Sequence, residues 1–118
     1  MGHNNLGWAY YKMGQIAQAK NSFLTAIQLN PRLCPPYNNV GLIYLESKEL
    51  FNAQHFLERG IKQCPRYAEP YLHLGKLSLK QGDIMKAKKY LTQCKRFSPD
   101  SSLGIRCEQM LRTYQLIK

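Results

Sequence analysis

The chain has 118 residues, enough for one domain or a short array of small units. A hydrophobic content of 44% with 11% aromatics is enough to bury a core, which excludes disorder, and no apolar run approaches the roughly 18 residues of a membrane span. The formal charge of +10, from 17 Lys and Arg against 7 Asp and Glu, leaves nucleic acid, anionic lipid or an acidic protein as partner classes.

The chain opens on MGHNNLGWAY, which lacks the cationic start and apolar stretch of a signal peptide and the sixth-position Ser or Thr of a myristoylation site. A helical pattern begins within a few residues and without a capping residue. This predicts a fragment of a longer protein. Within residues 1–33, Leu6, Gly7 and Tyr10 share one face of a first helix, and Ala19, Phe23 and Ala26 share the face of a second. Gly14 marks the turn between them, and Pro31 ends the second helix.

Residues 34–67 repeat the arrangement. NNLGWAY at 4–10 returns as NNVGLIY at 38–44, and residues 68–101 carry a third copy. Gly7, Gly41 and Gly75 share one spacing of 34; so do Ala19, Ala53 and Ala87, and Pro31, Pro65 and Pro99. Phe23, Leu57 and Leu91 form a further column, as do Leu6, Val40 and Leu74. A fixed period of this length means stacked copies of one supersecondary unit. After Pro99 the period stops, but Leu103, Cys107, Met110, Leu111 and Tyr114 keep helical spacing. A capping helix over about 102–116 is expected, with Asp100, Ser101 and Ser102 supplying its N-terminal chemistry.

Leu6, Gly7, Tyr10, Ala19, Phe23, Ala26 and Pro31 together resemble the full pattern of the tetratricopeptide repeats, and the resemblance extends to about residue 101. It implies an all-α, right-handed α-solenoid of three helix-turn-helix units plus the capping helix. Departures are Lys48 at the turn glycine, Gly60 and Cys94 at a small Ala, and Ser78 at a Tyr.

The face of each first helix opposite the Leu-Gly-Tyr stripe lines, by that resemblance, a concave groove for linear peptides. At about 100° per residue this face holds Asn4, Asn5, Trp8, Tyr11 and Lys12, then Asn38, Asn39, Leu42, Leu45 and Glu46, then Leu72, His73, Lys76, Leu79 and Lys80. Asparagine amides both donate and accept, so the Asn pairs are read as a grip on a peptide main chain, against their simply being habitual in the family at this place. Trp8 is read as an anchor, against packing under an upstream helix. An affinity in the low micromolar range is expected, about 8 kcal/mol. Lys76, Lys80 and His73 make one end basic and suited to an acidic or phosphorylated segment. The carboxylate clamp of chaperone-tail adaptors is not expected, because its positions hold Asn4, Trp8, Asn39, Glu69 and His73.

Lys86, Lys88, Lys89, Lys95 and Arg96 belong to the outer side of the third unit, where a solvated face is expected rather than a nucleic-acid or membrane surface. No nucleophile, base or phosphate loop converges, so neither an enzyme nor a cofactor is expected. Cys34, Cys64, Cys94 and Cys107 show no metal-ligand spacing and read as reduced thiols in a cytoplasmic protein. The predicted function is a protein-interaction adaptor; the alternative is an assembly scaffold acting through its convex basic face or open N-terminal end. A weaker resemblance links SPDSSLGIRCEQML to bacterial repeat lipoproteins of pilus assembly. It would imply a periplasmic location and permit a Cys34–Cys64 disulfide.

Overall fold

The computed structural model describes residues 2–114, and every regular element among them is an α-helix. The helices are α1 (Gly2–Lys12), α2 (Ile16–Leu29), α3 (Pro35–Glu46), α4 (Leu50–Gln63), α5 (Glu69–Lys80), α6 (Ile84–Phe97) and α7 (Ser102–Thr113). They fall into two compact units that divide between Cys64 and Pro65. Among the described residues no helix is long and apolar enough to cross a membrane.

In the first unit α1 packs on α2, α2 on α3, and α3 on α4. The periodic glycines mark where helices touch. A Cβ at Gly7 would lie 2.5 Å from the Phe23 ring, and one at Gly41 would lie 2.6 Å from Leu57. Ala19, Phe23, Ile27, Tyr37, Val40 and Ile43 form the buried core, with Trp8, Tyr10, Tyr11, Tyr44 and Phe56 packed at its edge. Leu6 departs from its expected place: it is 42% exposed, whereas Val40 of the same column is fully buried. Val40 lies on α3, which packs on both α2 and α4, whereas α1 packs mainly on α2 and meets α3 through side-chain hydrogen bonds.

The hairpin turns share one closure. Gly14 takes φ 77°, its N–H bonds the Tyr11 carbonyl, and the Gln15 N–H reaches the Tyr10 carbonyl. This 6→1, 5→2 pair is a Schellman motif, which needs a left-handed residue. Lys48 occupies that position in the second turn at φ 64° and makes the same two bonds. A Cβ costs about 1–2 kcal/mol there, so Lys48 is a strained stand-in for glycine.

The second unit packs α5 on α6 and α6 on α7, with α7 also reaching α5. Gly75 repeats the close approach, 2.6 Å from Leu91 to a Cβ built on it. Tyr71 donates its hydroxyl to the Pro65 carbonyl at 2.6 Å, as Tyr37 does to Pro31 in the first unit. Buried Cys107 and Leu111 seat the capping helix, Leu103 and Met110 are half-buried, and Tyr114 is exposed. Ser101 caps α7 by accepting from the Gly104 N–H at 3.0 Å. Residues 115 and 116, which the sequence pattern also assigns to this helix, lie outside the described residues.

The cysteines correct the expectation of reduced thiols. Cys34 is bonded to Cys64, joining the residue before α3 to the residue after α4, and Cys94 is bonded to Cys107, joining α6 to α7. Each pair is distant in sequence and brought together only by helix packing, so no local motif announces it.

Candidate peptide-binding surface

In the first unit the expected outward face is partly a buried one. Asn38 and Asn39 are 2% and 3% exposed, and Leu45 is buried with them. The physical reason is that α3 is flanked by α2 and by α4, so its covered arc is far wider than the single stripe of an isolated helix pair. Asn39 donates Nδ2–H to Asn4 Oδ1 at 2.9 Å, which ties α1 to α3. An amide so placed satisfies another amide inside the protein.

Trp8 is not free either. Its ring meets Phe23 edge-on at 5.8 Å and Tyr11 at 5.3 Å, so part of its surface is already in the core. Tyr11 donates to both carboxylate oxygens of Glu46, at 2.7 and 2.8 Å. That bond to an anion, with some burial and the carboxylate charge, pushes the phenol up to about 12. What remains accessible of this face is Asn5, Lys12 and Glu46, with the partly exposed sides of Asn4, Trp8, Tyr11 and Leu42.

In the second unit Leu72 is 2% exposed and belongs to the core, again contrary to the expected outward position, because α5 is covered by both α6 and α7. His73, Lys76 and Lys80 stay together. Burial first, then the charges of Lys76 and Arg106, lower the His73 imidazole to about 4 and keep it neutral at physiological pH. Its Nδ1 is buried without a hydrogen-bond partner. Lys76 is lowered as well, by burial and then by Arg106 and Lys80. A cavity of about 350 Å³ opens here, lined by Lys76, Leu79, Lys80, Met110 and Tyr114.

Arg106, Met110 and Tyr114 are the part that the sequence reading missed, having assigned α7 to packing alone. Their i, i+4, i+8 spacing was the available signal, since it places three side chains on one stripe of a helix. Among the described residues no three His, Cys, Asp or Glu side chains gather to hold a metal.

Models of the tetratricopeptide repeat match residues 1–33 and 68–101, together more than half of the chain. The chain belongs to the tetratricopeptide repeat family. Both matching models describe a helical repeat, not a catalytic domain. No curated protein matches the chain significantly in sequence. Among solved structures it is similar to the TPR domain of Arabidopsis OM64, with a TM-score of 0.82 at 21% identity over 95% of this chain and 93% of that one. PcrH in complex with the chaperone-binding region of PopD gives 0.87 at 16% identity, over 98% and 90%. The first TPR of Spaghetti (RPAP3), bound to the HSP90 peptide SRMEEVD, gives 0.78 at 17%, over 93% and 90%. At these identities the likeness establishes the fold, an all-α solenoid of tetratricopeptide repeats.

Proposed function

We propose that this chain is a protein-interaction module that takes an extended, acidic peptide segment of a partner against the first helices of its repeats. The observation that carries this reading is the cavity of the second unit, where Lys76 and Lys80 stand beside Leu79, Met110 and Tyr114. Arg106 adds a third cation close enough to disturb Lys76. A carboxylate entering this cluster relieves like-charge repulsion, while the apolar wall receives a neighbouring side chain. Solved relatives of the same fold carry peptides, SRMEEVD in one case and a region of PopD in another, which supports a peptide ligand.

Of the thirteen groove positions named from sequence, Asn4, Asn5, Trp8, Tyr11, Lys12, Leu42, His73, Lys76 and Lys80 stay as contact positions in this reading. Asn38, Asn39, Leu45 and Leu72 become the support beneath them. The test is selection from a displayed peptide library, with affinities of the selected peptides measured by fluorescence polarisation. Acidic sequences with an adjacent apolar residue should emerge, and Lys80→Glu should weaken them at least tenfold. Selection of neutral peptides that bind Lys80→Glu equally well would end this reading.

A second reading, an assembly scaffold acting through its N-terminal side, is favoured by one observation. Leu6 lies exposed in a cleft of about 280 Å³ with Tyr10, Ser22 and Thr25. A further helix pair seated there would cover it. Cross-linking of wild type against Leu6→Glu tests this: loss of the assembled species with peptide binding intact supports the scaffold, and unchanged cross-links remove it.

A further inference from the structure

The second unit holds eleven Lys and Arg against four Asp and Glu, and α6 has five of those cations and no acidic residue within its span. The helix buries Ala87, Leu91 and Cys94. At about 100° per residue, the line opposite that stripe passes through Met85, Lys89 and Arg96, which fall within about 40° of one another. Lys86 and Lys88 flank it, and all five side chains are exposed. Lys95 stands apart, turned toward α7, where it pairs with Glu108. Asp83, at the start of the helix, is engaged as its N-cap by the Lys86 N–H.

Two features separate this face from an ordinary solvated lysine surface. Met85 is 80% exposed on the same line as the cations, an apolar side chain presented outward with no core to fill. At the other end of the helix Arg96 shares a cavity of about 610 Å³ with Arg66, Phe97 and Pro65. From Met85 to Arg96 the line runs about 17 Å, at 1.5 Å per residue. A line of cations with an apolar tip at one end and two arginines lining one cavity at the other matches a flat anionic surface. Guanidiniums are suited to phosphate oxygens in a headgroup, and an interfacial methionine enters the acyl boundary.

We infer that the outer face of α6 docks on anionic phospholipid, lying flat with Met85 inserted and the Arg66–Arg96 cavity receiving a headgroup phosphate. The sequence reading discounted a membrane surface because a run of lysines alone is usually solvated; the alignment with Met85 and the two-arginine cavity are what the fold adds. No aromatic side chain lies on this line, and Phe97 in the cavity at its end is half-buried against Tyr71, so single-stranded nucleic acid has no row of free rings to stack on. The inference does not depend on the cavity lined by α5 and α7.

Co-sedimentation of the full chain with phosphatidylcholine vesicles, with and without phosphatidylserine, tests it. Each Lys or Arg near an anionic leaflet contributes about fivefold in partitioning. The Lys86→Glu, Lys88→Glu, Lys89→Glu variant should therefore lose at least about a hundredfold on serine-containing vesicles. Met85→Ser should lose three- to tenfold with its salt dependence unchanged, and Arg66→Ala should lose about as much. All these side chains are exposed, and circular dichroism verifies the fold of each variant. Equal partitioning with and without phosphatidylserine overturns the inference, as does an unlabelled single-stranded oligonucleotide that binds more tightly than the vesicles and through the same lysines.

Discussion

Replacing Gly104 by alanine tests the packing of the capping helix. A Cβ built there lies 1.8 Å from the carbonyl oxygen of Ser98, 2.8 Å from its carbon and 3.3 Å from the Pro99 oxygen. Carbon and oxygen do not pack closer than about 3.3 Å without bonding, so the start of α7 must move by roughly 1.5 Å. The obstacle is backbone, which has no rotamer to swing aside. The Cys94–Cys107 bond three residues further on holds α7 against the helix that ends there. Overpacking of this kind costs about 3 kcal/mol, and displacing the Ser101 cap from the Gly104 N–H costs about 1 more. Alanine returns about 1 kcal/mol through helix propensity. The net loss is about 3 kcal/mol, or roughly 12 °C in Tm for a chain of this length. Urea unfolding followed by circular dichroism measures it, with three other glycines as internal standards. Gly41→Ala and Gly75→Ala meet leucine side chains that can shift and should lose about 1–2 kcal/mol. Gly2→Ala meets nothing within 4 Å and should be neutral or slightly stabilising. A Gly104→Ala loss below about 1 kcal/mol, or one smaller than that of Gly41→Ala, would refute the reasoning.

Lys48→Gly should stabilise the chain by about 1 kcal/mol, since it relieves the only positive-φ non-glycine residue among those described, and a fall in the urea midpoint would contradict this. His73 is held neutral in the folded state, with its folded pKa of about 4 below the unfolded value of about 6.5. Its contribution is therefore complete above pH 6.5 and lost progressively as pH falls toward 4. Wild type should lose about 2–3 kcal/mol more than His73→Gln across that window, by denaturant titration at each pH. Removing the Cys94–Cys107 bond with a double serine variant should cost about 3 kcal/mol, given the short loop that it closes, and Ellman's reagent should find no free thiol in the unreduced wild type.

The repeat was legible because its period records close contact. Gly7, Gly41 and Gly75 each face a large side chain of the following helix, and any Cβ there presses into it, so glycine is favoured and the spacing shows in the sequence. The prolines and turn glycines were legible for the same reason, each fixing one backbone state. Less of the candidate surface could be read. A helical wheel drawn for one hairpin gives a single buried stripe, and Asn38, Asn39, Leu45 and Leu72 sit on helices with two flanking neighbours. The Asn pair expected to grip a ligand is spent internally, at least in the Asn39–Asn4 bond. Gly104 escaped notice because it meets a backbone carbonyl outside the periodic segment, where no matching position exists for comparison. Arg106 and Met110 escaped because a helix read as a lid was given only one working face.

The two disulfides each close a loop inside one compact unit, across 30 and 13 residues of sequence, and neither crosses from one unit to the other. Stretched between its ends, the molecule therefore has hidden length. At about 3.5 Å per residue, less what each disulfide itself spans, the oxidised chain extends roughly 140 Å less than its sequence allows, and the Cys34–Cys64 bond holds more than twice the share of the other. Whatever pulls on this protein meets two independent covalent stops with an uncrossed stretch of chain between them.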